Sequence, residues 1–346
     1  MSLAEAIRTG DPAVLPSRRD EDWRWSDLRG LIRAIPPAAP AAEAWPWAAA
    51  FASVVDETLT VVNGRGPADL SLGAGEARTV GWRFLSATPD TAYAAEAWIS
   101  VGENARLTLV ESHEGAAAGY LADVALHIRL ADGASLERIV VCDDHPDGVS
   151  VVHAEAALGS HARFAQTVLT TGARRQRTET RLHHPGRGAE VRLDGVYLLD
   201  DRRHADLTTV VRHEGVGGAT SQLTKGVAAD QARAIFQGRI VVAHGADKTD
   251  ARMRHDALVL SDRAEVDAKP ELEIYADDVA CAHGNTVGAL DEEALFYARS
   301  RGLPLAAARA LLTEAFVAEV VERIEHEAAR AAAAAWVARH LEGLAE

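Results

Sequence analysis

The feature that most limits what this chain can fold into is an internal repeat. A turn residue followed by alanine, any residue and an apolar residue recurs at Ala105, Ala134, Ala162, Ala189, Ala232 and Ala264, with gaps of 29, 28, 27, 43 and 32 residues. Short alternating runs lie between these points: ARLTLVE (105–111), VALHIRL (124–130), SLERIVV (135–141), ARFAQTVL (162–169) and AEVRLDGVYLL (189–199). Each is bounded by Gly, Asp, Asn or Ser, which is strand-turn-strand chemistry. Self-similarity at a period of roughly 20–50 residues marks a repeat architecture. With β periodicity and no helix-length insertion, each unit fits one coil of a β-solenoid bonded to its neighbours along the stack. A β-sandwich is the competitor, since strands every 8–12 residues or so also build one. The repeat favours the solenoid.

The flanks differ from this core. Trp23, Trp25, Leu28, Leu31 and Ile32 recur at spacings of two to four, so the first fifty residues read as helical. PPAAPAAEAWPW (36–47) is proline-rich and reads as a linker. After Leu290 the pattern turns helical again. Asp291 is a good N-cap, Glu292 and Glu293 suit the positive end of a helix dipole, and Gly302 and Pro304 separate two helices. Leu312, Phe316, Val320 and Ile324 fall four apart and form an apolar stripe. The expected organisation is an N-terminal helical segment and linker over 1–57, a β core over 58–290 and a C-terminal helical domain over 291–346.

Fifty-one acids against thirty-six bases give a formal charge of −15, which argues against nucleic acid as the main partner because phosphate binding needs a basic surface. Only Lys225, Lys248 and Lys269 are lysines; in an otherwise arginine-rich chain they mark positions worth locating. Two cysteines 139 residues apart make no disulfide framework. The opening MSLAEAIRTGDP lacks the apolar core of a signal peptide, and no run of about 18 apolar residues suggests a membrane span. A reducing cytosol is the expected setting.

Motifs that could carry chemistry are few. There is no G-X-X-X-X-G-K-[ST] loop and no G-X-G-X-X-G after a strand, so ATP hydrolysis by this chain is not expected. Asp277–Asp278 on a strand would face opposite sides, and Glu292–Glu293 fit helix capping better than catalysis. His183–His184–Pro185 reads as a turn, and His204 and Asp206 can share a strand face. Cys281 and His283 remain. Two apart on a strand, a thiol and an imidazole share one patch, and both ligate iron or zinc. Their bland reading is a small buried hydrophobe and a histidine satisfied by a carbonyl. A closed cluster or zinc site takes about four ligands, so any metal here needs donors from another chain.

Lys269 to Gly302 reads KPELEIYADDVACAHGNTVGALDEEALFYARSRG, preceded by RHADLTTVVRHEG (203–215) and TKGVAADQARAIFQGRIVVAHGADKTDA (224–251), with PSRRDEDWRWSDL (16–28) near the start. These stretches resemble the SufD branch of the SufB/SufD family of the SUF iron–sulfur cluster assembly system, strongly over about 203–303 and patchily elsewhere. His283 is followed by Gly284, where SufB-like chains usually carry an acid. Leu207 stands where the family often has a further histidine. The resemblance implies a mainly β chain with a right-handed parallel β-helix core between helical flanks, and a non-enzymatic scaffold. Its implied partners are a SufB-like homologue, meeting it through the β-helices, and a SufC-like ABC ATPase on the C-terminal helices. It further implies that His283, and less firmly Cys281, help hold a nascent iron–sulfur cluster at the subunit interface, none being stably bound by the isolated chain. The exposed flank of the Leu312/Phe316/Val320 stripe is the expected ATPase contact, and alone the chain is expected to form a homodimer. A β-helix polysaccharide lyase or hydrolase is the alternative, weakened by the helical C-terminus and the lack of a secretion signal; a purely structural oligomerisation module is a third reading.

Overall fold

A computed structural model describes residues 2–344. A short helix α1 (Leu3–Thr9) and a single turn α2 (Ala49–Ala52) precede the strands. These are β1 (Glu57–Val62), β2 (Asp69–Leu72), β3 (Ala77–Ser86), β4 (Ala92–Val101), β5 (Arg106–Gly115), β6 (Leu121–Leu130), β7 (Ser135–Asp143), β8 (Val149–Leu158) and β9 (Arg163–Thr170). They continue with β10 (Arg175–His184), β11 (Glu190–Leu199), β12 (His204–His213), β13 (Ala219–Ala228), β14 (Arg233–Val242), β15 (Asp250–Val259), β16 (Glu265–Ile274) and β17 (Ala280–Gly288). Helices α3 (Glu292–Ser300), α4 (Leu305–Val321) and α5 (Glu327–Leu344) follow. No helix among the described residues is long and apolar enough to cross a membrane.

Odd-numbered strands make a nine-stranded sheet and even-numbered strands an eight-stranded one, both in chain order. Neighbours within each sheet pair in parallel, as β3 with β5 and β4 with β6 do. The chain therefore alternates between two sheets and winds a parallel β-solenoid, not a sandwich of hairpins. Strand starts in the larger sheet, from Ala77 through Arg106, Ser135, Arg163, Glu190, Ala219 and Asp250 to Ala280, set a coil of 27–31 residues.

One corner of each coil explains the repeat. Gly75, Asn104, Gly133, His161, Gly188, Gly217 and Lys248 all have positive φ, between 56° and 73°. Each donates its N–H to a carbonyl of the next coil, as Gly133 does to Ser160 at 2.8 Å and Lys248 to Asp278 at 2.7 Å. The alanine that follows, at 105, 134, 162 and 189, is fully buried, so only a small side chain fits. The 43-residue gap has a specific cause. The next member of the column is Gly218, and a Cβ there would lie 2.5 Å from His184 Cε1 and 2.7 Å from His213 Nδ1. Two imidazoles packed edge to face fill the space alanine takes elsewhere, while Ala232 and Ala264 lead into β14 and β16 of the other sheet.

That histidine pair is wholly buried, with ring centroids 4.0 Å apart and nearly perpendicular. His213 Nε2 meets Thr220 Oγ1 at 2.9 Å, but both nitrogens of His184 and Nδ1 of His213 have no partner among the described residues. Burial holds His184 down at about 4, helped by His183, and His213 at about 3, helped by His184. His183 and His184 are the end of β10, and the turn begins only at Pro185; the sequence reading of a turn across all three is corrected. A second buried group lies farther along the lumen. Arg138 Nε and Nη2 bond Glu111 at 2.7 and 2.6 Å, His113 Nε2 reaches the same carboxylate at 2.6 Å, and Arg138 Nη1 reaches Gln166 at 2.6 Å. Burial alone would push the Glu111 carboxyl up; the guanidinium and the ring hold it at about 2.

The flanks cover the outer faces of the two sheets. α4 and α5 bury Val317, Val320, Val321, Ile324, Trp336 and Val337 against outward residues of the nine-stranded sheet such as Val110, Ile139 and Val196. The first part of the N-terminal segment, with Leu3, Leu15 and Leu28, lies on the eight-stranded sheet, and its last part, with Trp47 and Phe51, on the nine-stranded one; little of it is helical, contrary to the sequence expectation. Its tryptophans serve sheet contacts instead: Trp23 stacks on the Arg177 guanidinium at 4.4 Å, and the Trp25 carbonyl lies 3.2 Å from His204 Nε2. Pro12, Pro16, Pro36 and Pro37 interrupt any longer helix. The three lysines act as clasps. Lys225 pairs with Glu319 of α4 and lies over the Phe316 ring, Lys248 pairs with Asp278, and Lys269 bonds Glu21 at 2.8 Å and Glu271 at 3.2 Å.

Candidate metal centre at the open coil end

The last coil is made by β16 and β17, and each strand has a hydrogen-bonded neighbour on one side only. In the register of β17 on β15, Cys281 stands over Ala251, His283 over Met253, Asn285 over His255 and Val287 over Ala257. All four underlying residues are buried. Cys281, His283, Asn285 and Val287 therefore continue the inward-facing file of the solenoid. They are not covered, because no described coil follows. On β16 the matching file is Val266, Ala268, Pro270, Leu272 and Ile274. Ile274 and Val287 are 43 % and 45 % exposed where their counterparts one coil back, Val242 and Ala257, are buried. The solenoid ends as a cross-section of its own core, apolar apart from a thiol, an imidazole and an amide.

Such an end has two capacities. Its unpaired backbone edge accepts another strand, and its apolar face gains from being covered. Its two donors, a soft sulfur and a borderline nitrogen, are of the types that ligate iron or zinc. Cys281 is half-buried against the core, and burial pushes its thiol above the usual range, so a metal must displace its proton. His283 is exposed and Gly284 leaves its flank open, with nothing near a Cβ placed there. No group of three or more His, Cys, Asp or Glu side chains placed to hold a metal occurs among the described residues, so any further ligand at this end comes from elsewhere.

The other candidates are placed apart from this end. His204 and Asp206 do share the outer face of β12, but both are buried under the N-terminal segment, where Asp206 binds Ser26 and Arg177. His183 pairs with Glu214 at 2.7 Å. Asp278 holds Lys248, and the Asp291 carboxylate caps α3 through the N–H groups of Glu293 and Ala294 at 2.9 and 3.2 Å, beside Glu292. On α4, Leu312 and Phe316 are half-buried, but Val320 is completely buried against the solenoid. Val320 is a packing residue and drops out of any docking surface.

A family model described as the SufBD core domain of SUF-system FeS cluster assembly matches residues 84–316. This chain belongs to the SufBD family. The SufBD match spans most of the solenoid and reaches into α4, so it includes the open end with Cys281 and His283. Among curated SufBD relatives, the iron–sulfur cluster assembly protein SufD of Escherichia coli is 35 % identical over 218 residues, 62 % of this chain and 51 % of that protein. SufBD family proteins of Synechocystis and Pyrococcus horikoshii are each 29 % identical, over 65 % and 70 % of this chain and 52 % and 55 % of theirs. The chain thus aligns with about half the length of the SufBD relatives it matches.

Sequence reasoning found the Cys-X-His pair and its shared face. It missed Asn285, because only the register of β17 on β15 puts that amide over a buried histidine thirty residues earlier. It also missed the most exposed apolar residues of the C-terminal region, Phe296 and Tyr297 on α3, at 75 % and 62 %. Their signal was present as an apolar pair outside the four-residue spacing of α4.

Proposed function

We propose that this chain is a non-enzymatic scaffold subunit of iron–sulfur cluster assembly that presents His283 and Cys281, at the open end of its solenoid, to a cluster shared with a homologous SufB-like subunit. The observation that carries this reading is the uncovered last coil: in a SufBD-family chain, the two metal-ligating side chains lie on the core face that the fold leaves open. A second solenoid end placed against it would pair the free edge, cover Ile274, Val287 and Leu272, and bring further ligands. An isolated chain has the same edge to satisfy, which supports a homodimer when the partner is absent.

The C-terminal helices take a SufC-like ATPase in this reading. Packing anchors α4 and α5 to the nine-stranded sheet through Val320, Trp336 and the Lys225–Glu319 pair, so force applied to the helices reaches the solenoid. The surface left for docking is Phe296 and Tyr297 with Leu311, which is 51 % exposed, beside half-buried Leu312 and Phe316. The Phe296→Ala/Tyr297→Ala double variant is expected to keep its stability within about 0.5 kcal/mol, as exposed substitutions do, and to lose co-purification with the ATPase. Retained ATPase binding would remove this surface from the account. Co-expression with a cysteine-richer homologue and an ATPase tests the whole reading: a stable three-component complex is expected, and failure of the chain to join either partner would refute it.

A further inference from the structure

Asn285 shares the inward file of the last coil with Cys281 and His283 and is connected to the interior behind it. Its Oδ1 lies 2.7 Å from His255 Nδ1, and His255 Nε2 lies 3.0 Å from the Tyr197 hydroxyl. His255 and Tyr197 are buried. The imidazole packs flat on Phe236, with centroids 4.6 Å apart and planes within 5°, and it overlaps the Tyr197 ring at 6.0 Å. Tyr197 is fixed in turn, since a Cβ at Gly226 would lie 1.9 Å from it.

The positions of the protons decide which way the amide points. The Tyr197 hydroxyl carries one proton and meets one polar side chain among the described residues, His255. Left without an acceptor, a buried hydroxyl costs about 1–3 kcal/mol. It donates to Nε2, which is therefore bare. A neutral imidazole then carries its proton on Nδ1, and Nδ1–H needs an acceptor, so Asn285 turns its oxygen inward. The NH2 group is left without a partner among the described residues, on an exposed side chain that shares its strand face with His283. The opposite arrangement would strand the phenol proton inside the solenoid.

We infer that Asn285 is a third binding residue of the open coil end, an amide donor to the anionic sulfur, sulfide or thiolate, of the group held by His283 and Cys281, aimed from inside the fold by Tyr197 and His255. The inference rests on the shared-cluster reading above. A neutral donor suits this position, because it stabilises anionic sulfur without adding a charge at the interface, and hydrogen bonds to cluster sulfurs raise the reduction potential.

Two measurements test it. In the full-length chain alone, 15N NMR of the His255 ring is expected to show the Nδ1–H tautomer; an Nε2–H tautomer would turn the amide around and overturn the inference. In the complex with the cysteine-richer homologue and the ATPase, Asn285→Leu and Asn285→Asp are expected to build the cluster with a lowered reduction potential. The aspartate keeps the bond from His255 but offers only oxygen to the open side. Unshifted potentials in both variants would refute the role of Asn285. His283→Ala separates the two failures: a normal cluster in that complex refutes the shared site itself, whereas cluster loss there with unshifted Asn285 variants refutes the amide's part alone.

Discussion

Replacing Arg138 with leucine is expected to cost about 3–5 kcal/mol at neutral pH, because it strands a buried carboxylate. Glu111 is fully buried and takes two hydrogen bonds from Arg138. The pH dependence is the sharper part of the expectation. In the intact protein the Glu111 carboxyl sits at about 2, below its ordinary value of 4.5, so the stability it contributes is complete above pH 4.5 and is lost as pH falls towards 2. Without Arg138, the stranded Glu111 carboxylate gains from taking up a proton. The deficit of the variant should therefore shrink as pH falls from 7 to 4. Urea melts of both proteins across that range measure it. A constant deficit would mean that Arg138 contributes packing and not charge.

The second large effect is acid lability from the histidine pair. The folded-state values of about 4 for His184 and about 3 for His213 lie below the ordinary 6.5. Above pH 6.5 both rings are neutral in either state and have no influence on the balance. As pH falls below 6.5 the unfolded chain takes up protons that the folded chain refuses, and stability is lost down to about pH 3. The loss is on the order of several kcal/mol, at about 1.4 kcal/mol for each tenfold difference in proton affinity per ring. The His184→Leu/His213→Leu double variant should move the acid-unfolding midpoint, followed by circular dichroism, to lower pH. It keeps bulk in the space where Gly218 has no side chain and removes the three unpartnered nitrogens. An unchanged midpoint would place the acid sensitivity elsewhere.

These two clusters show what the sequence reveals and what it hides. Coil length was legible because a corner repeats a local requirement: a left-handed residue followed by a small buried one, as at Asn104–Ala105 and Gly133–Ala134. The repeat vanished at Gly218 because its space is filled by histidines 34 and 5 residues away in the sequence. Spacing misled at the N-terminus, where Trp23 and Trp25 have helix-like intervals but serve contacts to Arg177 and His204 about 150 and 180 residues on. The shared face of Cys281 and His283 followed from strand periodicity alone. That this face is the open end of the core did not, since it depends on how many coils the chain builds and where winding stops. Val320 shows the same limit, because a helical stripe announces an apolar face but not whether the chain itself or a partner covers it.

The central claim is that the open coil end completes a cluster site together with a second subunit, and His283 tests it most directly. His283→Ala should leave the fold intact, because the side chain is exposed and its backbone pairing with Met253 remains. It should also leave ATPase binding intact. Iron and sulfide bound to the complex after anaerobic assembly should nevertheless fall to background, since alanine offers no ligand and Cys281 alone cannot replace it. Cys281→Ser should have a smaller effect, in keeping with a thiol held protonated by burial. The decisive measurement is the iron and sulfide content of purified wild-type and His283→Ala complexes prepared in parallel. The account predicts a cluster on the first and none on the second; equal content in both would contradict it.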